Sequence, residues 1–206
     1  MAYVLGFFAA DGYITVNKRG GQFWCVDITD RKLIEQIKKE IGADHKISIR
    51  KRHRGVYTSY RLQVGSIEMC DDLRKLGFDE RKAKSLAVPN VPSQYFSDFV
   101  RGYFDGDGHV WSGIINKERK TSHSIIQTVF TSCSRKFLEM VNAALNDRGL
   151  NVGRVSRGVG NCYRLVYSVS DSLRLYDFMY NSRILGAGLF LERKKSVFEK
   201  YMSLRP

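Results

Sequence analysis

The chain has 206 residues, of which 43% are hydrophobic and 12% aromatic, so it can bury a substantial core. Its 34 basic residues outnumber its 21 acidic residues, and the resulting net charge of +13 favours a polyanionic partner, nucleic acid before an anionic membrane surface. The spacing of its four cysteines and four histidines excludes a zinc module and indicates reduced thiols.

The first half of the chain predicts alternating helices and strands. Apolar spacing indicates the helices, period-two alternation indicates the strands, and glycines and aspartates mark their ends. In chain order the predicted elements are a helix at 2–11, strands at 13–17 and 23–28, a helix between Asp30 and Gly42, strands at 46–52 and 57–64, and a helix at 66–76.

The second half predicts the same order of elements. After a helix that ends near residue 107, these are strands at 109–117 and 124–132, a helix at 134–146, strands at 152–158 and 161–169, and helices at 171–180 and 190–202. Pro89 and Pro92 mark a short linker between the halves.

Four short segments recur in register, which indicates an internal repeat. The matches are 4–12 (VLGFFAADG) with 100–108 (VRGYFDGDG), 30–35 (DRKLIE) with 134–139 (SRKFLE), 60–62 with 163–165 (both YRL), and 80–82 with 192–194 (both ERK). We therefore expect an α+β fold of two pseudo-symmetric αββαββα halves, 1–92 and 93–206. Helices would cover one face of each antiparallel sheet and leave the other face open.

The first repeated segment suggests a helix pair with an acid at each C-terminal end. Gly6 and Ala10 share one helix face, as do Gly102 and Gly106, and small residues at this spacing let two helices approach closely. Asp11 and Asp107 would then be neighbours, which is costly without a cation because like charges and the helix dipoles oppose it. A tight helix-ending turn would also explain one Asp-Gly pair, but two copies in a basic protein favour a divalent metal site.

VLGFFAADG and VRGYFDGDG resemble the two signature motifs of single-chain LAGLIDADG homing endonucleases, and the likeness extends over almost the whole chain. The resemblance implies a monomer encoded by a mobile element (an intron or intein gene) that hydrolyses both strands of a long DNA site and leaves short 3′ overhangs. It also implies that Asp11 and Asp107 bind the metal, assisted by the carbonyls of Ala10 and Gly106. The motif helices would form the interface between the halves.

Mg²⁺ is the metal we expect, with Mn²⁺ able to replace it and Ca²⁺ supporting binding without cleavage. The first motif has Ala9 where the family often has an acid, and the second keeps Asp105; this position is usually not a metal ligand.

Each half of the family also places a lysine near the active site, after the last strands. The repeat match favours Lys82 and Lys194 for this role, with Lys84 and Lys195 as close competitors. Positive charge there would stabilise the developing charge at the phosphate. A solvated helix face is the alternative explanation for these lysines.

The strands carry cationic side chains that could enter the major groove. Those predicted to contact DNA are Lys18, Arg19, Lys46, Arg50, Arg52, Arg54, Arg61 and Gln63 in the first half and Lys117, Arg119, Lys120, Arg154, Arg157 and Arg164 in the second. Asp27 and Gln127 lie on strands that could line the catalytic pocket and position water, but a place on the sheet surface is at least as good an explanation.

Two alternative functions share this scaffold: an RNA-binding intron maturase, whose partner would be intron RNA, and a non-catalytic DNA-binding regulator. A regulator would be expected to lose the motif acids, yet both are present. We expect no obligate protein partner and no membrane association, because no apolar run could cross a bilayer. Since no signal peptide is evident, we expect an intracellular location, in the cytoplasm, the nucleoid or an organelle.

Overall fold

The computed structural model describes residues 1–52, 57–79, 85–115, 123–181 and 188–204, and for Arg52 the backbone only. The chain divides into two compact units, Met1–Gly106 and Asp107–Pro206. The repeat boundary predicted from the sequence, after residue 92, lies earlier than this division. The difference arises because the second motif helix packs within the first unit.

The described helices and strands follow the predicted order. They are α1 (Ala2–Asp11), β1 (Gly12–Val16), β2 (Gln22–Ile28), α2 (Arg31–Glu40), β3 (Ser48–Arg52), β4 (Tyr57–Gly65), α3 (Ile67–Lys75), α4 (Phe96–Asp107), β5 (Gly108–Ile115), β6 (His123–Ser132), α5 (Arg135–Asn146), β7 (Arg154–Arg157), β8 (Tyr163–Tyr167), α6 (Val169–Tyr180) and α7 (Glu192–Ser203). A single 3₁₀ turn at Ser93–Tyr95 precedes α4.

Each unit contains one four-stranded antiparallel sheet, with strand orders β1-β2-β4-β3 and β5-β6-β8-β7. The mixed α+β class and the repeated topology confirm the fold predicted from the sequence. Alternation decides which residues reach the core: Trp24, Val26, Leu62 and Val64 are buried from neighbouring strands of the first sheet.

Local capping signals in the sequence correspond to observed helix ends. The Asp30 carboxylate accepts a hydrogen bond from the Leu33 amide at 2.8 Å, and Ser134 caps the equivalent helix through the Phe137 amide at 3.2 Å. Each bond satisfies an amide that the first helical turn leaves without a backbone partner. Gly42 and Gly77 follow α2 and α3 with positive φ, a conformation that glycine adopts without steric cost.

Helices α1 and α4 pack against each other through glycine in the first unit. A methyl group on Gly6 would overlap the Phe99 carbonyl, and one on Gly102 would overlap the Tyr3 carbonyl. The two contacts are related by the repeat, because Tyr3 and Phe99 occupy equivalent positions in the two motifs. Glycine at these two positions therefore lets the backbones of α1 and α4 approach each other closely.

Within the described ranges, no helix is long and apolar enough to cross a membrane. All four cysteines are thiols, and the Sγ atoms of Cys133 and Cys162 lie 3.2 Å apart.

Candidate active site and nucleic-acid interface

At the C-terminal end of α1, the Asp11 carboxylate lies beside Gly106 of α4. If Gly106 carried a Cβ atom, this atom would lie 3.2 Å from Oδ2 of Asp11 and would overlap the Ala10 methyl group. Asp11 is the last residue of α1, and Gly106 directly precedes Asp107, the last residue of α4. Glycine at this position therefore lets the backbone of α4 approach Ala10 and the Asp11 carboxylate closely.

This part of the molecule also contains a buried polar network that the sequence analysis missed. The Tyr3 hydroxyl donates to Oδ2 of Asp105 at 2.7 Å, and Asp105 is 2% exposed. The guanidinium of Arg101, itself buried, lies 5.5 Å from the Tyr3 ring centroid and 2.5 Å from the Asp98 carboxylate. Arg101 is thus paired with a carboxylate, and one oxygen of Asp105 accepts a hydrogen bond; contacts of this kind offset the cost of burying charge. The signal was the position of Arg101 and Asp105 among the aromatic and small residues of α4.

Lys194 lies in the first turn of α7 and is 6% exposed. Its ammonium donates to the carbonyl oxygen of Gly108 at 2.6 Å, immediately after the second motif acid in the chain. Lys195 has different surroundings, because its ammonium lies 3.1 Å from Glu199 and 4.9 Å from the Phe190 ring centroid. The geometry separates the two competing lysines of the second half. Lys82 and Lys84 lie outside the described residues.

The face of the first sheet that the helices leave open is cationic. In the ladder between β3 and β4, Ser48 pairs with Arg61 and Arg50 pairs with Ser59, so these side chains lie on one face as the alternation predicted. Gln63 continues this face along β4. Lys18, Arg19 and Lys46 are exposed in the loops that flank the strands. Such a surface suits phosphate and base-edge contacts.

One acid lies among these cations, in an arrangement that we name the Asp27 cluster (Tyr13, Asp27, Arg50 and Arg61). Oδ2 of Asp27 accepts a hydrogen bond from the Tyr13 hydroxyl at 2.9 Å and lies 3.8 Å from Nη1 of Arg50 and 3.9 Å from Nε of Arg61. The Arg61 guanidinium lies 5.4 Å from the Tyr13 ring centroid. Burial, together with the Asp27 carboxylate, raises the pKa of Tyr13 to about 12, so its hydroxyl stays a donor at neutral pH.

Cys25 borders the Asp27 cluster, because Nη2 of Arg61 donates to its Sγ at 3.2 Å. Burial raises the pKa of the Cys25 thiol, which keeps it neutral. The contacts of Tyr13 and Cys25 with Arg61 were not predicted from the sequence. The available signal was alternation: all three side chains lie on the same sheet face once the register is known.

The second sheet presents exposed arginines at Arg154, Arg157 and Arg164. Arg154 and Arg157 begin and end β7, and Arg164 lies on β8 opposite Ser156. Among the remaining predicted contacts, Arg54, Lys117, Arg119, Lys120 and the side chain of Arg52 lie outside the described part of the chain.

Solved structures with a similar fold include meganucleases. The chain matches I-AabMI bound to uncleaved DNA with a TM-score of 0.62 at 18% identity (98% of this chain, 88% of that one) and I-SmaMI bound to DNA with 0.65 at 17% identity (98% and 87%). It also matches I-DmoI in complex with DNA and Mn, with a TM-score of 0.59 at 17% identity (89% and 97%).

One curated relative is the Probable translation initiation factor IF-2 of Thermococcus kodakarensis, 37% identical over 128 residues. The match spans 58% of this chain and only 10% of that protein. The family profile described as LAGLIDADG-like domain matches residues 1–77 and 97–178, which include both glycine-faced motif helices and both sheets. This chain therefore belongs to the LAGLIDADG-like family.

Proposed function

We propose that this protein is a metal-dependent, site-specific DNA endonuclease of the homing type. The observation that carries the proposal is the paired motif: two helices packed through glycine, each ending in an aspartate. The cationic sheet faces and the net charge of +13 support a DNA partner. The DNA-bound meganucleases with the same fold support the same class of activity.

The residues at the end of the helix pair fit a hard divalent cation. A carboxylate and a backbone carbonyl are oxygen ligands of the kind that Mg²⁺ prefers, and the Asp11 carboxylate lies close to the backbone of Gly106 at this end of the helix pair. No group of three or more His, Cys, Asp or Glu side chains that could hold a metal occurs among the described residues. Phosphate oxygens and water would therefore complete the coordination, as they usually do for Mg²⁺.

In this mechanism Asp11 and Asp107 would hold the metal, with the carbonyls of Ala10 and Gly106 as further ligands. The bound metal would activate water and stabilise the leaving oxygen at the scissile phosphate. Lys194, and Lys82 in the other half, would hold positive charge near the reacting phosphate. The basic faces of the sheets would hold the DNA and fix its register.

The test is cleavage of a plasmid library of candidate targets by the full chain and by Asp11→Asn and Asp107→Asn variants. We expect cutting with Mg²⁺, binding without cutting with Ca²⁺, and a loss of cutting of at least about 10²-fold in each variant with DNA binding retained. Equal cutting by both variants would contradict the paired-acid mechanism. Tight binding of structured RNA in preference to duplex DNA would instead favour a maturase.

A further inference from the structure

The two sheets differ at one point on their open faces. Asp27 pairs with Arg61 in the first sheet, and the equivalent pair in the second sheet is Thr131 with Arg164. The repeat match of 60–62 with 163–165 places Arg61 and Arg164 at the same position. The arginine is thus common to both units, and the acid is present only in the first.

Arg50, the second arginine of the Asp27 cluster, is also present in the first unit and replaced in the second. Ser48 pairs with Arg61 in the first sheet and Ser156 pairs with Arg164 in the second, so the two serines are equivalent. Two residues after each serine, the first unit has Arg50 and the second has Gly158. Asp27 and Arg50 therefore occur together in one unit and are both replaced in the other. This joint difference is what is expected if the two side chains act as a pair.

The environment of Asp27 suits a carboxylate that positions an arginine. The Asp27 side chain is 10% exposed. It accepts a hydrogen bond from the Tyr13 hydroxyl and lies in an ion pair with Arg61, whose side chain is 16% exposed. The Arg50 side chain is 44% exposed, so it is the member of the cluster that a partner can reach. The carboxylate 3.8 Å from Nη1 of Arg50 attracts the guanidinium by charge and so favours one range of directions for this side chain.

We propose that Asp27 positions Arg50 to recognise guanine in the major groove of the DNA half-site that the first unit contacts. This inference rests on the proposed function and adds a specificity determinant to it. Arg is the side chain that donates two parallel hydrogen bonds to O6 and N7 of guanine, the commonest specific contact in the major groove. The second unit has neither partner, so Arg164 makes the sequence-independent phosphate contacts expected of an exposed arginine.

The proposal predicts an asymmetric target, which selection from a randomised duplex library measures. The full chain is used with Ca²⁺ in place of Mg²⁺, and bound DNA is sequenced after repeated rounds. We expect one position in one half-site to require G·C. In Asp27→Thr, which introduces the residue of the second unit, that preference falls by about tenfold or more, while the rest of the profile is unchanged. The Arg50→Ala variant should lose the G·C preference at the same position.

The control for charge is Asp44→Asn, which removes an exposed carboxylate outside the sheets and should leave the profile unchanged. Affinity for non-specific DNA should stay constant or rise in Asp27→Thr, because an acid is removed and Arg50 is released. A merely structural role for Asp27 would instead lower affinity for all sequences together with the unfolding temperature. Tyr13→Phe provides a milder second variant, since it loses only the hydroxyl that holds Asp27.

The outcomes separate this inference from the proposed function. An unchanged base profile in both Asp27→Thr and Arg50→Ala would overturn the inference while leaving a sequence-specific DNA-binding protein. Slower cleavage by Asp27→Thr with an unchanged profile would also overturn it and would assign Asp27 to water positioning. Failure of the unaltered chain to enrich any sequence would overturn both proposals.

Discussion

At the scale of single residues, the two neighbouring lysines of α7 have opposite surroundings. Lys194 is buried and donates to the Gly108 carbonyl, whereas Lys195 pairs with Glu199 on the same helix. The sequence alone gave no physical reason to choose between them beyond the repeat match. Burial of an ammonium is costly unless its donors are satisfied, so the hydrogen bond to the Gly108 carbonyl offsets part of the cost of burying Lys194.

Lys194 and Lys195, which are neighbours in the chain, allow a matched experiment. We expect Lys194→Met to lower the cleavage rate by about 10²-fold, because a positive charge near the developing phosphate charge is lost. Lys195→Met should stay close to the unaltered protein, since it removes a half-exposed ion pair with Glu199 and a contact with the Phe190 ring. Single-turnover cleavage of a selected target measures both. Equal losses in the two variants would contradict the assignment of Lys194, provided that their unfolding temperatures match.

At the scale of elements, the α1–α4 pair depends on the absence of side chains at particular positions. A Cβ atom at residue 102 would overlap the carbonyl oxygen of Tyr3, and a Cβ atom at residue 6 would overlap the carbonyl oxygen of Phe99. Close packing of this kind tolerates added volume poorly because backbone, unlike the end of a flexible side chain, cannot rotate away.

Gly102→Ala tests the close approach of the helices. The added methyl group should lower the free energy of unfolding by about 1–3 kcal/mol, since the backbone of α1 must move. The control is Gly65→Ala at the exposed end of β4, where the added carbon would lie 3.3 Å from the Phe23 ring. Its effect should stay within about 0.5 kcal/mol. Urea denaturation of both variants checks this, and equal stabilities would contradict the packing argument.

Strand and helix boundaries were largely predictable at this scale, because they depend on local signals. Alternation, N-cap side chains and glycines with positive φ all act within a few residues. The prediction of a shared face for Arg50, Arg61 and Gln63 also followed from alternation. The ion-pair geometry of Asp27 did not, because it needs three strands in register, and register is a long-range property.

At the scale of the whole molecule, the charge of +13 should control how DNA is bound. If about eight phosphates are neutralised, the logarithm of the affinity should fall with the logarithm of salt concentration with a slope of about −7. Binding titrations of selected and scrambled duplexes at several salt concentrations measure the slope. The selected and the scrambled duplex should have similar slopes. A slope near zero would contradict an interface dominated by phosphate contacts.

The sequence by itself determined the repeat, the order of elements, the capped helix ends and the pairing of two glycine-faced helices with acids. These features are encoded by residue type and spacing, which one chain displays directly. Only the tertiary structure decided which lysine of α7 is buried beside Gly108, that Arg101 and Asp105 are buried, and that Asp27 faces Arg50 and Arg61. The reason is physical: burial and ion pairing depend on residues that are distant in the chain, whose contacts follow from sheet register and helix packing.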